Sequence, residues 1–171
     1  QFYQWISGRR TMNTQVTQGS DQRTLQQFIL DERANGINAY AYFNPIYFDS
    51  PPGLTSLSNA HSVYCNESGT YDEFMTDEFG FRNPSDLLKK RNYRPSILLL
   101  GPSFVVGCGA KNGELFADIL REKFDPTLYN AGVGGSGHLQ QYAVFKEYGA
   151  KLKPRRVLWF YLEGGTLGLL S

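Results

Sequence analysis

The sequence predicts an α/β fold: a three-layer α/β/α arrangement around a parallel sheet, preceded by an irregular N-terminal extension. Three observations carry this expectation. Short apolar runs at 96–101, 127–133 and 156–162 each have the length of one buried strand. Segments with helical periodicity, 113–124 and 138–151, lie between them. Each run also ends in a turn rich in glycine, and ligands collect at such strand ends in open α/β sheets.

The elements follow in order. Residues 1–92 form the aromatic, loop-rich extension. It holds one helix near 21–35, capped by Ser20 or Asp21, with Leu25, Phe28 and Ile29 on one face and Gly36 as its stop. The aromatic segment 38–48 favours extended chain, and Pro45 keeps it out of a sheet centre. Residues 49–53 make a turn, and 54–85 read as loop with short strands. Residues 93–171 form the regular α/β part. Strand 96–101 leads to helix 113–124, whose apolar stripe is Leu115, Phe116, Ile119 and Leu120. Strand 127–133 leads to helix 138–151, with Leu139, Tyr142, Ala143 and Phe145 on its buried side. Pro154 ends the connection to strand 156–162. Strand–helix–strand spacing of this kind means right-handed crossovers and parallel pairing. The last strand needs cover, so a protein partner or a further C-terminal segment is expected over that sheet edge.

Composition narrows the function. A length of 171 residues fits one domain of ordinary size, and a net charge of +1 gives no global field for nucleic acid or anionic lipid. The basic clusters Lys89-Lys90-Arg91 and 151–156 read as solvated helix ends. No apolar run approaches the roughly 20 residues of a membrane helix. The chain starts at Gln1, which leads to the expectation of a trimmed product. Cys65 and Cys108 either pair in an oxidising compartment or remain structural thiols. With two His and no Cys/His cluster, neither a metal nor a cofactor is expected. Asn66-Glu67-Ser68 matches a glycosylation triplet, a pattern common by chance.

Ser103 is the first chemistry-bearing candidate, because a serine on a strand-to-helix turn stands out of the sheet near helix amides. Gly132-Val-Gly-Gly-Ser-Gly137 offers backbone donors. The same glycines match G-x-G-x-x-G, the spacing of a dinucleotide site. An acidic residue should follow roughly 20 positions later. Arg155 and Arg156 stand there instead, and Glu163 comes later.

Three blocks together resemble the SGNH (GDSL) hydrolase family. Ile97-Leu-Leu-Leu-Gly-Pro-Ser-Phe104 resembles its Gly-Asp-Ser block, Tyr129-Asn-Ala-Gly-Val-Gly-Gly-Ser-Gly137 its Asn-x-Gly-x-x-Gly block, and Phe160-Tyr-Leu-Glu-Gly-Gly-Thr166 its Gly-Asn-Asp block. The upstream Asp77-Glu-Phe-Gly-Phe-Arg-Asn-Pro84 is similar to the lead-in of envelope and polysaccharide-associated members. The resemblance covers 76–166. It implies a flavodoxin-like fold, Ser103 as nucleophile and the Gly135 amide as oxyanion donor beside the Ser103 amide. It also implies an acyl-ester substrate, such as polysaccharide O-acetyl groups, and an extracytoplasmic or cell-envelope location. Three departures stand out: Pro102 replaces the family's Asp, Gly165 its oxyanion Asn, and Thr166 the neighbouring Asp. Its Asp-x-x-His block is not found within the sequence; His138 falls at a position the family does not use for catalysis, and His61 lies in the loop region. Three readings therefore compete: an ester hydrolase or acyl transferase, an inactive domain serving an assembly, and a nucleotide-binding βαβ module.

Overall fold

The computed structural model describes residues 20–42, 53–90 and 92–161. It is mixed α/β, with two small sheets.

The regular half follows from its apolar runs. β4 (Ile97–Leu100) lies between β5 (Tyr129–Asn130) and β6 (Arg156–Trp159) in an all-parallel sheet, with Leu98 opposite both Tyr129 and Val157. Side chains alternate across a strand, so β4 is buried from both sides. Leu98 and Leu100 pack with Phe81, Tyr129 and Val144. Leu99 packs with Val105, Ala117 and Leu128. The pairing runs past the ends of β5 and β6: Ala131 and Val133 N–H groups donate to Leu99 and Gly101, and Phe160 N–H donates to Leu100.

The helices are α2 (Ser103–Val106), α3 (Phe116–Lys123) and α4 (His138–Val144), the last continued by a π-helical turn, Phe145–Gly149. Two of the expected helix faces need correction. On α3, Leu115, Ala117 and Arg121 are buried, whereas Phe116 and Ile119 are exposed. On α4, Gln141 and Val144 are buried, whereas Leu139 and Tyr142 are exposed. The reason is polar. The Arg121 Nε–H donates to Leu128 O at 2.9 Å and a second guanidinium N–H donates to Asn83 Oδ1. Gln141 donates to Ser136 O at 3.1 Å and accepts from the Trp159 indole at 2.5 Å. Hydrogen bonds that need burial turn each helix away from its most apolar stripe.

The N-terminal part holds more order than loop. The Thr24 hydroxyl caps α1 (Leu25–Ala34) in a capping box with Gln27. β1 (Ala39–Ala41), β2 (His61–Val63) and β3 (Glu73–Met75) form a second sheet, β1 parallel and β3 antiparallel to β2. Tyr42, Tyr64 and Phe74 then pack against Val106 of α2, so this sheet shares a core with the serine turn.

A buried polar network joins the halves. Asp77 Oδ1 accepts from the Phe79 and Phe81 N–H groups at 2.9 and 3.0 Å. Its Oδ2 accepts from Asn83 Nδ2 at 2.9 Å and from the Tyr129 hydroxyl at 2.6 Å. Asn83 also pairs with the Asn130 backbone on both sides, at 2.9 Å each. Arg82 donates to Gly107 O at 2.8 Å, just past α2. The lead-in motif thus holds the end of β5 through Asn83 and the end of α2 through Arg82.

Candidate functional site

Ser103 opens α2 three residues after β4 ends, with Pro102 at the N-cap position in extended conformation and no side-chain cap. Proline has no side-chain acceptor, so the helix start gains nothing from the residue that the resemblance expects to be Asp. Gly135 lies in the loop after β5 with φ +68°, a left-handed value that favours glycine. Among the described residues, neither the Ser103 hydroxyl nor the Gly135 N–H has a hydrogen-bond partner.

Both residues line one cavity of about 570 Å³. Most of its other lining comes from the N-terminal part and includes Tyr42, Tyr64, Tyr71 and Glu67. The turns are held in register by Asn130, which is 1% exposed. Its Nδ2 donates to Val105 O in α2 at 2.8 Å, and its Oδ1 accepts from Gly132 N–H at 3.0 Å. One side chain thus ties the serine turn to the glycine loop. Gly134 is a close-approach position: a Cβ there would stand 1.9 Å from the Tyr64 hydroxyl. Gly132 is pressed against the Val105–Val106 backbone in the same way. These protein contacts account for two glycines of the G-x-G-x-x-G spacing without a nucleotide.

Cys65 and Cys108 form a disulfide, settling the alternative left by the sequence, and both line the cavity. Asp72 Oδ2 lies 3.2 Å from Cys65 Sγ and accepts from Gly109 N–H at 2.7 Å. Burial pushes the Asp72 carboxyl above its usual range, against the opposing pull of Gly109 and Arg82. Cys65, Asp72 and Cys108 bring their ligand atoms within 4.8 Å of one another. The two sulfurs are bonded together, so the thiolates that a metal would take are missing. The tyrosines are protonated donors: burial, with the nearby Glu67 and Asp72 charges, pushes the Tyr64 phenol up to about 12, and burial raises Tyr42 further.

Neither histidine lines this cavity. His61 sits on β2 with Nε2 2.8 Å from Glu73 Oε2, and the His138 ring meets Tyr161 at 5.7 Å. Gly165 and Thr166 lie outside the described residues. Sequence reading missed Tyr64 and Asn130 as site residues. The Asn130-x-Gly132 spacing, an Asx turn in which the side chain accepts from the N–H two positions on, is the available signal for Asn130. Tyr64 has none, because its approach to Gly134 spans 70 positions of chain.

The fold and site define an α/β protein in which a serine and a glycine loop line one cavity beyond the carboxyl edge of a parallel sheet. No family model, curated protein or solved structure matches the chain.

Proposed function

We propose that the chain is a three-layer, SGNH-like ester hydrolase or acyl transferase module. One observation carries the reading: Ser103 and Gly135, from separate strand ends, line one cavity. In this reading Ser103 Oγ attacks an ester carbonyl and the Gly135 N–H receives the oxyanion. The alcohol then leaves, and water or a second alcohol takes the acyl group from Ser103. The serine proton needs a base. Among the described residues no histidine reaches the cavity, and Glu67 is the carboxylate on its wall, so the reading requires a base supplied from elsewhere. Tyrosine rings suit the flat faces of sugars, which supports an O-acylated glycan as substrate and, with the disulfide, an extracytoplasmic location.

Two further observations support a three-layer arrangement and a cover for the sheet. β4 is buried by different clusters on its two faces. Edge strand β6 leaves Val157, Leu158 and Trp159 about two-fifths exposed, at 38%, 39% and 43%. A second reading is a non-catalytic domain of a larger assembly, favoured by Pro102 at the turn and by the two histidines lying away from the cavity. A fluorophosphonate probe separates the two. Labelling that Ser103→Ala abolishes supports the hydrolase; an unlabelled wild-type protein supports the assembly domain.

A further inference from the structure

An oxyanion is held by several donors at once, and a side-chain donor commonly stands beside the amides. Gly165, where the resemblance places such a side chain, has none to offer. We propose that the Tyr64 hydroxyl is an additional oxyanion donor of the Ser103–Gly135 site. The inference rests on Ser103 being the nucleophile, and it adds a catalytic residue from the N-terminal sheet.

Four observations carry it. First, Tyr64 lines the same cavity as Ser103 and Gly135. Second, its hydroxyl abuts Gly134, since a Cβ on that residue would stand 1.9 Å from the oxygen. The phenol is therefore one residue away from the Gly135 amide. Third, Tyr64 is only 7% exposed, yet its hydroxyl has no hydrogen-bond partner among the described residues. The residue itself lines the cavity. A buried phenol normally finds a partner, and this one keeps its proton free for something that enters. Fourth, the ring is fixed before anything binds. It meets Tyr42 edge-on at 5.0 Å, the Tyr64 backbone N–H donates to Asp72 O at 2.9 Å, and the next residue is locked in the disulfide. A donor that does not reorganise during reaction is the kind that accelerates it. The raised phenol value described above keeps the hydroxyl protonated at neutral pH.

The chemistry is a simple exchange. As Ser103 Oγ bonds to the acyl carbon, the carbonyl π pair moves onto oxygen. That oxyanion accepts from the Gly135 N–H and the Tyr64 O–H, and both donors keep their protons.

The test measures inactivation by a fluorophosphonate, whose phosphoryl oxygen stands in for the oxyanion, with the adduct mapped by mass spectrometry. Tyr64→Phe keeps the ring and removes one oxygen. The inactivation rate constant should fall roughly 10²–10³-fold, with the half-saturating probe concentration unchanged. Replacing Tyr64 by para-aminophenylalanine, which restores an N–H donor at that place, should recover much of the rate. Labelling of Ser103 in wild type with an undiminished rate in Tyr64→Phe overturns the inference and leaves the Ser103 reading standing. A loss confined to half-saturation, or an equal loss in the aminophenylalanine protein, also overturns it. Absence of Ser103 labelling in wild type removes the parent reading and this inference together.

Discussion

Asp77→Asn strikes the network that ties both halves to the site. The carboxylate is 1% exposed and accepts four hydrogen bonds, from Phe79 N–H, Phe81 N–H, Asn83 Nδ2 and Tyr129 O–H. An asparagine in the same rotamer keeps its oxygen on the two backbone amides. Its NH₂ group then faces Asn83 and Tyr129. The Tyr129 hydroxyl can rotate to accept. Asn83 cannot flip, because its oxygen already accepts from Asn130 N–H at 2.9 Å and from Arg121. One N–H is left facing another, and the remaining bonds lose their charge. A buried unsatisfied donor costs about 1–3 kcal/mol and a bond to a charged group exceeds a neutral one by about 1 kcal/mol, so the sum is roughly 2–4 kcal/mol. In a chain of 171 residues this lowers Tm by roughly 4–16 °C. Urea unfolding followed by circular dichroism gives the free energy directly. A loss below about 0.5 kcal/mol, the range of ordinary surface changes, would refute the claim that this carboxylate organises the interior.

Three other perturbations read separate parts of the structure. Gly134→Ala drives a methyl into the Tyr64 hydroxyl and should cost about 1–3 kcal/mol by overpacking; adding Tyr64→Phe should recover part of that loss, and strict additivity in chemical denaturation would contradict the contact. The Cys65–Cys108 bridge closes a separation of 43 residues, so Cys65→Ser with Cys108→Ser should cost about 4 kcal/mol at most on the chain-entropy account; an unchanged urea midpoint would argue against the bridge. Asp72 is held above 3.8 in the folded state by burial. The folded protein therefore binds the proton more tightly than the unfolded chain, and this group removes stability as pH rises from 3.8 through its raised folded value. Asp72→Asn keeps an oxygen for Gly109 N–H and should flatten that part of the stability–pH curve; an identical slope in the variant would show that the carboxyl is not perturbed.

The parallel sheet was legible because β4 is buried on both faces and so reads as the unbroken run Ile97–Leu100. The position of Ser103, on the turn that follows β4, was legible for the same reason, since the apolar run points at that turn. Extended chain at 38–48 and short strands within 54–85 were legible, but their bounds and their pairing into an N-terminal sheet were not. Each of its strands has three residues, and β1 pairs with β2 across a gap of 22 positions, Ala39 with His61, so periodicity has too little length to register. The helix faces were misjudged where a buried polar side chain outweighed an apolar one, as Arg121 and Gln141 did over Ile119 and Tyr142. Local hydrophobicity cannot report a guanidinium that is satisfied by Leu128 O and Asn83. The cavity wall escaped for a related reason, because Tyr64 reaches Gly134 only through tertiary packing.

A crystal structure of the fluorophosphonate-treated protein tests the central claim most directly. The account predicts phosphonyl density on Ser103 Oγ, with the phosphoryl oxygen about 2.7–3.1 Å from both Gly135 N and the Tyr64 hydroxyl. An unmodified Ser103, or an adduct whose oxygen turns away from the Gly135 loop, would contradict it.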